Sequence, residues 1–151
     1  IRWRIPVCYE NEYAPDIDDV SRSLKVSTSE IIKQHTSVEL EVFMMGFLPG
    51  FPYLGLLPEI FDLPRRVEPR VHVPPRSISV AARQTTIYTI DSPGGWHLIG
   101  QTPVDFYDPN RENPVLVKAG DKVSFFAIDS KEYPAVRRAL KADEYPLIMD
   151  C

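Results

Sequence analysis

Apolar and polar residues alternate over short runs along most of this chain, and a 3.6-residue period surfaces in three places. The opening IRWRIPVCY alternates cations with apolar residues before joining an apolar stretch, which predicts a strand over Arg2–Tyr9. Two short helices follow. Asp16-Ile-Asp-Asp19, after Pro15, can start the first, which runs to about Leu24. Ser27-Thr-Ser-Glu30 forms a capping box, with Ser27 as N-cap and Glu30 reaching back, and opens a second helix. That helix carries Ile31, Ile32 and His35 and stops near Ser37. Two helices about a three-residue turn have the outline of a DNA-reading helix-turn-helix, but the turn and second helix bring only Lys25 and Lys33.

From Val38 the pattern turns to period two. VELEVFMM predicts a strand that ends at Gly46. SISVAA (Ser77–Ala82) and TTIYTI (Thr85–Ile90) predict a hairpin with Arg83-Gln84 at its turn. HLIGQ, VDFYD and KVSFFAI predict three more strands, separated by turns at Asp108–Asn110 and Ala119–Asp121. SKEYPAVRRALKAD predicts a closing helix with Ser130 as N-cap and Ala135 and Leu140 on its buried side. The chain is therefore expected to be mainly β, a barrel or sandwich with two short N-terminal helices and a C-terminal helix. It shows no internal repeat.

Two segments break this pattern, GFLPGFPYLG (Gly46–Gly55) and SPGGW (Ser92–Trp96). Both set aromatic rings among glycines and prolines. Gly allows close backbone approach and Pro fixes φ, so Phe47, Phe51, Tyr53 and Trp96 are expected on stiff loops rather than inside regular elements. They would form a binding wall, or in part plain core.

At 151 residues, 44% hydrophobic and 25% charged, the chain suits one domain, 1–151. Its 15 prolines are scattered, which favours ordered turns over a disordered tail. The net charge of −4 gives no reason to expect nucleic acid or an anionic membrane as partner. No apolar stretch approaches the length of a membrane span, and no signal peptide is visible. Cys8 and Cys151 have no metal or disulfide-framework spacing, so a reducing, cytoplasmic setting is expected, a terminal disulfide being the alternative. A chain opening at Ile1 without Met is expected to be a fragment of a longer protein.

No self-contained catalytic motif is present: no GxSxG, HExxH, P-loop or dinucleotide fingerprint. His35, His72 and His97 have no metal-ligand spacing, so no metal is expected. His35 is expected as a helix-end cap or core residue, while His97, beside Trp96, is a candidate site residue. Arg65, Arg66, Arg70, Arg76 and Arg83 face a single acid, Glu68, in their stretch. Such a stripe can receive a carboxylate, a phosphate or an acidic surface through guanidinium forks, or pair with acids elsewhere in the chain. Gln84, Thr85 and Tyr88 can orient a small polar substrate or make strand-end hydrogen bonds. Gly94-Gly95 can present an anion nest or merely form the turn that Trp96 needs.

GFLPGFPYLG, PRR (Pro64–Arg66), QTTIY (Gln84–Tyr88) and SPGGWHLIGQTP (Ser92–Pro103) together resemble the KipI family, also called the 5-oxoprolinase B subunit or allophanate hydrolase subunit 1. PVCYENEYAPDIDDV and QHTS (Gln34–Ser37) resemble it more weakly, and the likeness covers about residues 5–129. The resemblance implies a cyclophilin-like β-barrel and a smaller N-terminal domain absent here. It implies a KipA-like partner (the 5-oxoprolinase C subunit) and a third subunit, together an ATP-dependent 5-oxoprolinase that opens 5-oxoproline to glutamate, with no cofactor held in this chain. The alternative it implies is docking on, and inhibition of, a sporulation histidine kinase. Prolyl isomerase activity would follow from the fold alone, and fold does not carry function. Arg65 and Arg70 match arginines of the family pattern.

The chain departs from that pattern at four places. Arg76 stands for a glycine, Ala82-Arg83 for a glycine pair, Thr89 for proline and Gln101 for arginine. These side chains are expected beside the pocket, a change that partner binding would tolerate better than substrate handling.

Overall fold

Seven strands close into a barrel, and the alternation of the sequence accounts for most of them. The structure, a computed structural model, describes residues 1–149. Cys151, and with it the alternative of a terminal disulfide, lies outside the described residues; Cys8 is buried. The barrel strands are β1 (Arg2–Cys8), β2 (Leu40–Met45), β3 (Pro52–Gly55), β5 (Ser77–Ala81), β6 (Gln84–Ile87), β8 (His97–Gln101) and β9 (Lys122–Ile128), and β4 (Arg70–Val73) with β7 (Ser92–Gly94) makes a separate ribbon. Around the barrel the order is β1-β8-β5-β6-β3-β2-β9. The β1–β9 pair is parallel and in register from Arg2↔Lys122 to Cys8↔Ile128, while the other pairs are antiparallel. Inward residues such as Ile5, Val7, Val42, Leu54, Ile78, Val80, Ile99 and Phe125 fill one core.

Helix α1 (Ile17–Leu24) buries Ile17 and Val20, and α2 (Thr28–Thr36) buries Ile31 and His35, one turn apart on one face. The capping box is half formed. Ser27 Oγ accepts from the Glu30 N–H at 3.1 Å, but the Glu30 carboxylate turns to Gln34 Nε2 at 2.9 Å instead of reaching back. The closing helix α3 (Glu132–Lys141) is started by Asp129 rather than Ser130: Asp129 Oδ1 accepts from the Glu132 N–H at 2.7 Å, and Glu132 Oε1 accepts from the Asp129 N–H at 3.0 Å. Its buried residue is Tyr133; Ala135 is exposed and Leu140 is half-buried.

Three other expectations are corrected. The hairpin turn is Ala82-Arg83, one residue earlier than expected. Both residues adopt positive φ (48° and 61°), the type I′ geometry that matches strand twist, and Gln84 already pairs with Ala81. VDFYD is no strand. Val104 and Phe106 are buried, but the segment folds around Arg111, whose guanidinium donates to the carbonyls of Asp105, Asn113 and Pro114, leaving only a Tyr107↔Val115 bridge. Finally, the end of GFLPGFPYLG is not loop but β3, seated between β2 and β6. Pro52 is tolerated there as the first residue of the strand.

Candidate functional site

The aromatic loops converge on one cleft. In the 46–51 loop, Gly46 N–H donates to Phe51 O (3.1 Å) and Phe51 N–H to Leu48 O (3.1 Å), a tight fold that turns Phe47 outward at φ 68° and leaves it 64% exposed. Phe51 is the hub and is only 3% exposed. Its ring meets Phe47 at 5.4 Å, Tyr53 at 5.1 Å and Tyr88 at 5.1 Å, all edge-to-face, and Tyr53 meets Trp96 at 6.2 Å. Arg65 Cζ lies 5.9 Å from the Trp96 ring, in cation–π range. Together with Arg66, Pro69, Gly94 and Gly95, these residues enclose about 340 Å³, open to solvent on one side.

The polar side chains of the cleft, two phenols and two guanidinium groups, can all donate. Burial raises the Tyr88 phenol above its ordinary value, with Tyr53 adding and Arg65 opposing, so Tyr88 keeps its proton at neutral pH. Arg65 is exposed and has no carboxylate partner among the described residues. Arg66 Nη1 donates to Asp16 Oδ1 at 2.6 Å, and its Nε to Glu68 O at 3.2 Å. A site walled by rings and edged by guanidinium groups suits a small ligand carrying a carboxylate.

Eight of the expected site residues line this cleft: Phe47, Phe51, Tyr53, Arg65, Tyr88, Gly94, Gly95 and Trp96. Four do not. Arg70 commits its fork to Asp16, with Nη1 to Oδ2 at 2.5 Å and Nη2 to Oδ1 at 2.6 Å. His97 donates Nε2–H to the Pro64 carbonyl at 2.8 Å and is not among the lining residues. Thr85 is fully buried, donating to Ser79 O at 2.8 Å, and Gln84 sits at the far end of β6 beside Gly55. Gly94 and Gly95 both lack the positive φ of a nest; Gly94 pairs with Arg70 in the ribbon, and its need for a bare Cα comes from the Tyr88 ring packed against it.

The remaining histidines have ordinary partners. His35 is core: burial pushes it down to about 3, and it stacks on Phe125 at 4.7 Å. His72 faces Asp91 at 3.0 Å on the surface.

The departures from the family pattern stand away from the cleft, contrary to expectation. Arg76 turns to Asp105 at 3.5 Å, Arg83 donates to Leu57 O at 3.0 Å and Gln101 to Pro75 O at 3.0 Å, while Thr89 is not among the lining residues. Sequence reasoning passed over Asp16, and from the arginine stripe it singled out Arg65 and Arg70 rather than Arg66. Asp16 read as a helix starter; its position just after Pro15, opposite an arginine surplus, was the only available signal.

A larger groove of about 820 Å³ runs between α3, the 143–148 tail and Trp3. Its arginines are occupied, Arg111 by three carbonyls and Arg137 by Asp105 at 2.9 Å and Pro103 O at 2.7 Å, while Lys141 also lines the groove. Among the described residues no group of three or more His, Cys, Asp or Glu is placed to hold a metal ion, and no helix is long and apolar enough to cross a membrane.

The family model described as carboxyltransferase domain, subdomain C and D, matches residues 1–117. The chain is 43% identical over 133 residues to the 5-oxoprolinase B subunit of Bacillus subtilis, which is 88% of this chain and 55% of that protein. It is 45% identical over 121 residues to the 5-oxoprolinase B subunit of Escherichia coli O157:H7, 80% of this chain and 56% of that protein. The chain therefore spans little more than half the length of these relatives. Among solved structures, a conserved uncharacterized protein from Pyrococcus horikoshii superposes with a TM-score of 0.83 at 41% identity, over 87% of this chain and 61% of that one. The urea amidolyase of K. lactis shares the fold alone, with a TM-score of 0.78 at 16% identity, over 97% of this chain and 11% of that one.

Proposed function

This chain belongs to the carboxyltransferase-domain family, subdomain C and D, and we propose that it serves as the barrel of a 5-oxoprolinase B subunit, acting with a KipA-like chain and a third subunit to open 5-oxoproline to glutamate. The observation that carries this reading is the cleft in which Arg65 and Arg66 edge a wall of Phe51, Tyr53, Tyr88 and Trp96. 5-Oxoproline has a flat five-membered ring and one carboxylate, which match a ring-lined wall and a guanidinium edge. The chain's part would be to bind and orient: carboxylate against the arginines, ring against Trp96, and the Tyr88 hydroxyl donating to a polar atom of the lactam. The lactam carbonyl is unreactive, and the complex would use ATP to activate it.

The experiment is reconstitution of the full-length protein with its partner subunits, ATP and 5-oxoproline, with glutamate as readout. Glutamate formation that needs all subunits and ATP is expected. No glutamate with every subunit present and folded would overturn the proposal, and co-purification with a histidine kinase in place of a KipA-like chain would favour the inhibitor instead.

A further inference from the structure

Asp16 lies outside the cleft yet holds two of the pieces that build it. Its carboxylate, 2% exposed, accepts from Arg66 Nη1 (2.6 Å), from both terminal nitrogens of Arg70 (2.5 and 2.6 Å) and from the Leu98 N–H (2.7 Å). Its own N–H donates to Leu98 O at 2.9 Å, so both backbone groups of Leu98 are tied to one residue. Leu98 follows Trp96 by two positions on β8. Arg66 is clamped again by Nε to Glu68 O (3.2 Å) and by its backbone N–H to Gly95 O (2.7 Å). That leaves Nη2, which has no partner among the described residues, on a side chain that lines the cleft.

A long cation ordered before a ligand arrives loses little conformational freedom on binding. We propose that Asp16 is a positioning residue: by clamping Arg66 and Leu98 it presents the free Arg66 Nη2 and the Trp96 wall together to an anionic ligand. The inference rests on the cleft being the binding site proposed above. It also separates the two arginines, Arg66 as the fixed anchor and Arg65, exposed over Trp96, as the mobile one.

A purely electrostatic role for Asp16 has the opposite sign. Neutralising a carboxylate beside the cleft would raise its positive potential and draw anions in, whereas releasing Arg66 would weaken their approach. Trp96 fluorescence in the full-length protein, taken as the difference between each protein and the same protein carrying Trp96→Phe, reads the outcome, with iodide as anionic and acrylamide as neutral quencher. Trp3, 7% exposed and bonded through Nε1 to Asp121, is shielded from both. In Asp16→Asn the iodide-to-acrylamide quenching ratio is expected to fall at least about twofold. Arg66→Lys keeps the charge but cannot reach Asp16 and Glu68 together, and should fall as far; the double variant should fall no further than either single one. An unchanged or higher ratio in Asp16→Asn overturns the proposal. Should that variant fail to fold, Asp16→Glu keeps the charge and shifts the oxygens by one methylene: the same fall is expected, and an unchanged ratio overturns it.

In the assembled enzyme these variants should raise KM for 5-oxoproline by about tenfold while leaving kcat within about threefold. Absence of glutamate with the wild-type complex would remove the 5-oxoprolinase reading and leave the quenching result to decide the role of Asp16.

Discussion

Arg70 grips Asp16 end-on, Nη1 to Oδ2 at 2.5 Å and Nη2 to Oδ1 at 2.6 Å, across 54 residues of sequence. Burial alone would raise the Asp16 carboxyl, but the Arg70 hydrogen bonds, the Leu98 N–H and the charges of Arg70 and Arg66 outweigh it and hold the carboxyl below its ordinary value. A carboxylate lowered in the folded state contributes stability that is present above its unfolded value and lost as pH falls through the folded one. Asp16→Asn should cost roughly 2–4 kcal/mol at neutral pH, since it leaves two guanidinium groups without a counter-charge and puts an amide NH2 where one acceptor oxygen stood. Urea denaturation at pH 7 and pH 3 checks both halves: the gap between wild type and variant should shrink at the lower pH.

The protons of the buried His35 network can be assigned from its partners. Thr85 has one hydroxyl proton, given to Ser79 O at 2.8 Å, so it must accept from His35 Nε2–H at 3.1 Å. Nδ1 is then the acceptor for the Tyr9 hydroxyl at 2.6 Å. With the folded imidazole at about 3 against 6.5 unfolded, His35 stays neutral in the native protein. Below pH 6.5 the unfolded chain takes up a proton that the folded one refuses, so stability falls with pH down to about 3, by at most about 1.4 kcal/mol per pH unit from this group. Nitrogen-15 spectra should show Nε2 protonated and Nδ1 bare from pH 8 to pH 5. An imidazolium signal assigned to His35 in that range would refute the assignment.

Gly94 and Gly95 are adjacent but not equivalent. A β-carbon on Gly94 would stand 2.7 Å from Tyr88 Cζ and 2.9 Å from Cε2, while one on Gly95 meets nothing nearer than Pro69 Cβ at 3.7 Å. Gly94→Ala should therefore destabilise by about 1–3 kcal/mol, as overpacking does, and Gly95→Ala by well under 1 kcal/mol. Tyr88→Phe should not rescue Gly94→Ala, because the ring carbons clash as well as the hydroxyl. Thermal unfolding of the three variants settles the ranking.

The barrel was legible where alternation has a clear physical cause. Strands β2 and β9 bury alternate residues, and a period of two marks them; β5 is buried on both faces, yet its hydroxyls Ser77 and Ser79 alternate with Ile78 and Val80 and give the same signal. Strand β3 was hidden because Pro52 and Gly55 read as breakers, although first-position proline costs the ladder nothing. VDFYD misled in the other direction: Val104 and Phe106 are buried from an irregular loop that Arg111 pins. Glycine and proline around aromatic rings pointed to the loops that converge on the cleft, since that chemistry is local. Asp16 was not legible because its partners are 50, 54 and 82 residues away. Thr85 misled because a hydroxyl in a strand reads the same on either face, and here it faces His35 in the core.

The type I′ turn is built from two residues strained by positive φ, Ala82 at 48° and Arg83 at 61°. Arg83 has compensation in its bond to Leu57 O at 3.0 Å; Ala82 is exposed. Ala82→Asn, which tolerates this region, should stabilise the fold by about 0.5–1 kcal/mol without touching the cleft. A lower midpoint in urea would contradict the turn assignment.

Three rings of the cleft, Phe47, Phe51 and Trp96, should divide into two classes on truncation. Phe51 is 3% exposed and packs with Val73, Tyr88 and Leu98, so Phe51→Ala removes core and should cost about 3–5 kcal/mol. Its loss of activity would then report unfolding as much as binding. Phe47, 64% exposed, and Trp96, half-buried, stand outside that cluster. Phe47→Ala and Trp96→Ala should therefore each cost about 1 kcal/mol or less, while Trp96→Ala lowers kcat/KM for 5-oxoproline by at least about tenfold in the assembled enzyme. Trp96 is expected to carry more than Phe47 because it also supplies the face on which Arg65 rests at 5.9 Å. The comparison needs both measurements on each variant, chemical denaturation for stability and steady-state kinetics for function. A Trp96→Ala protein as stable and as active as wild type would move the ligand away from this wall, and with it the assignment of the cleft.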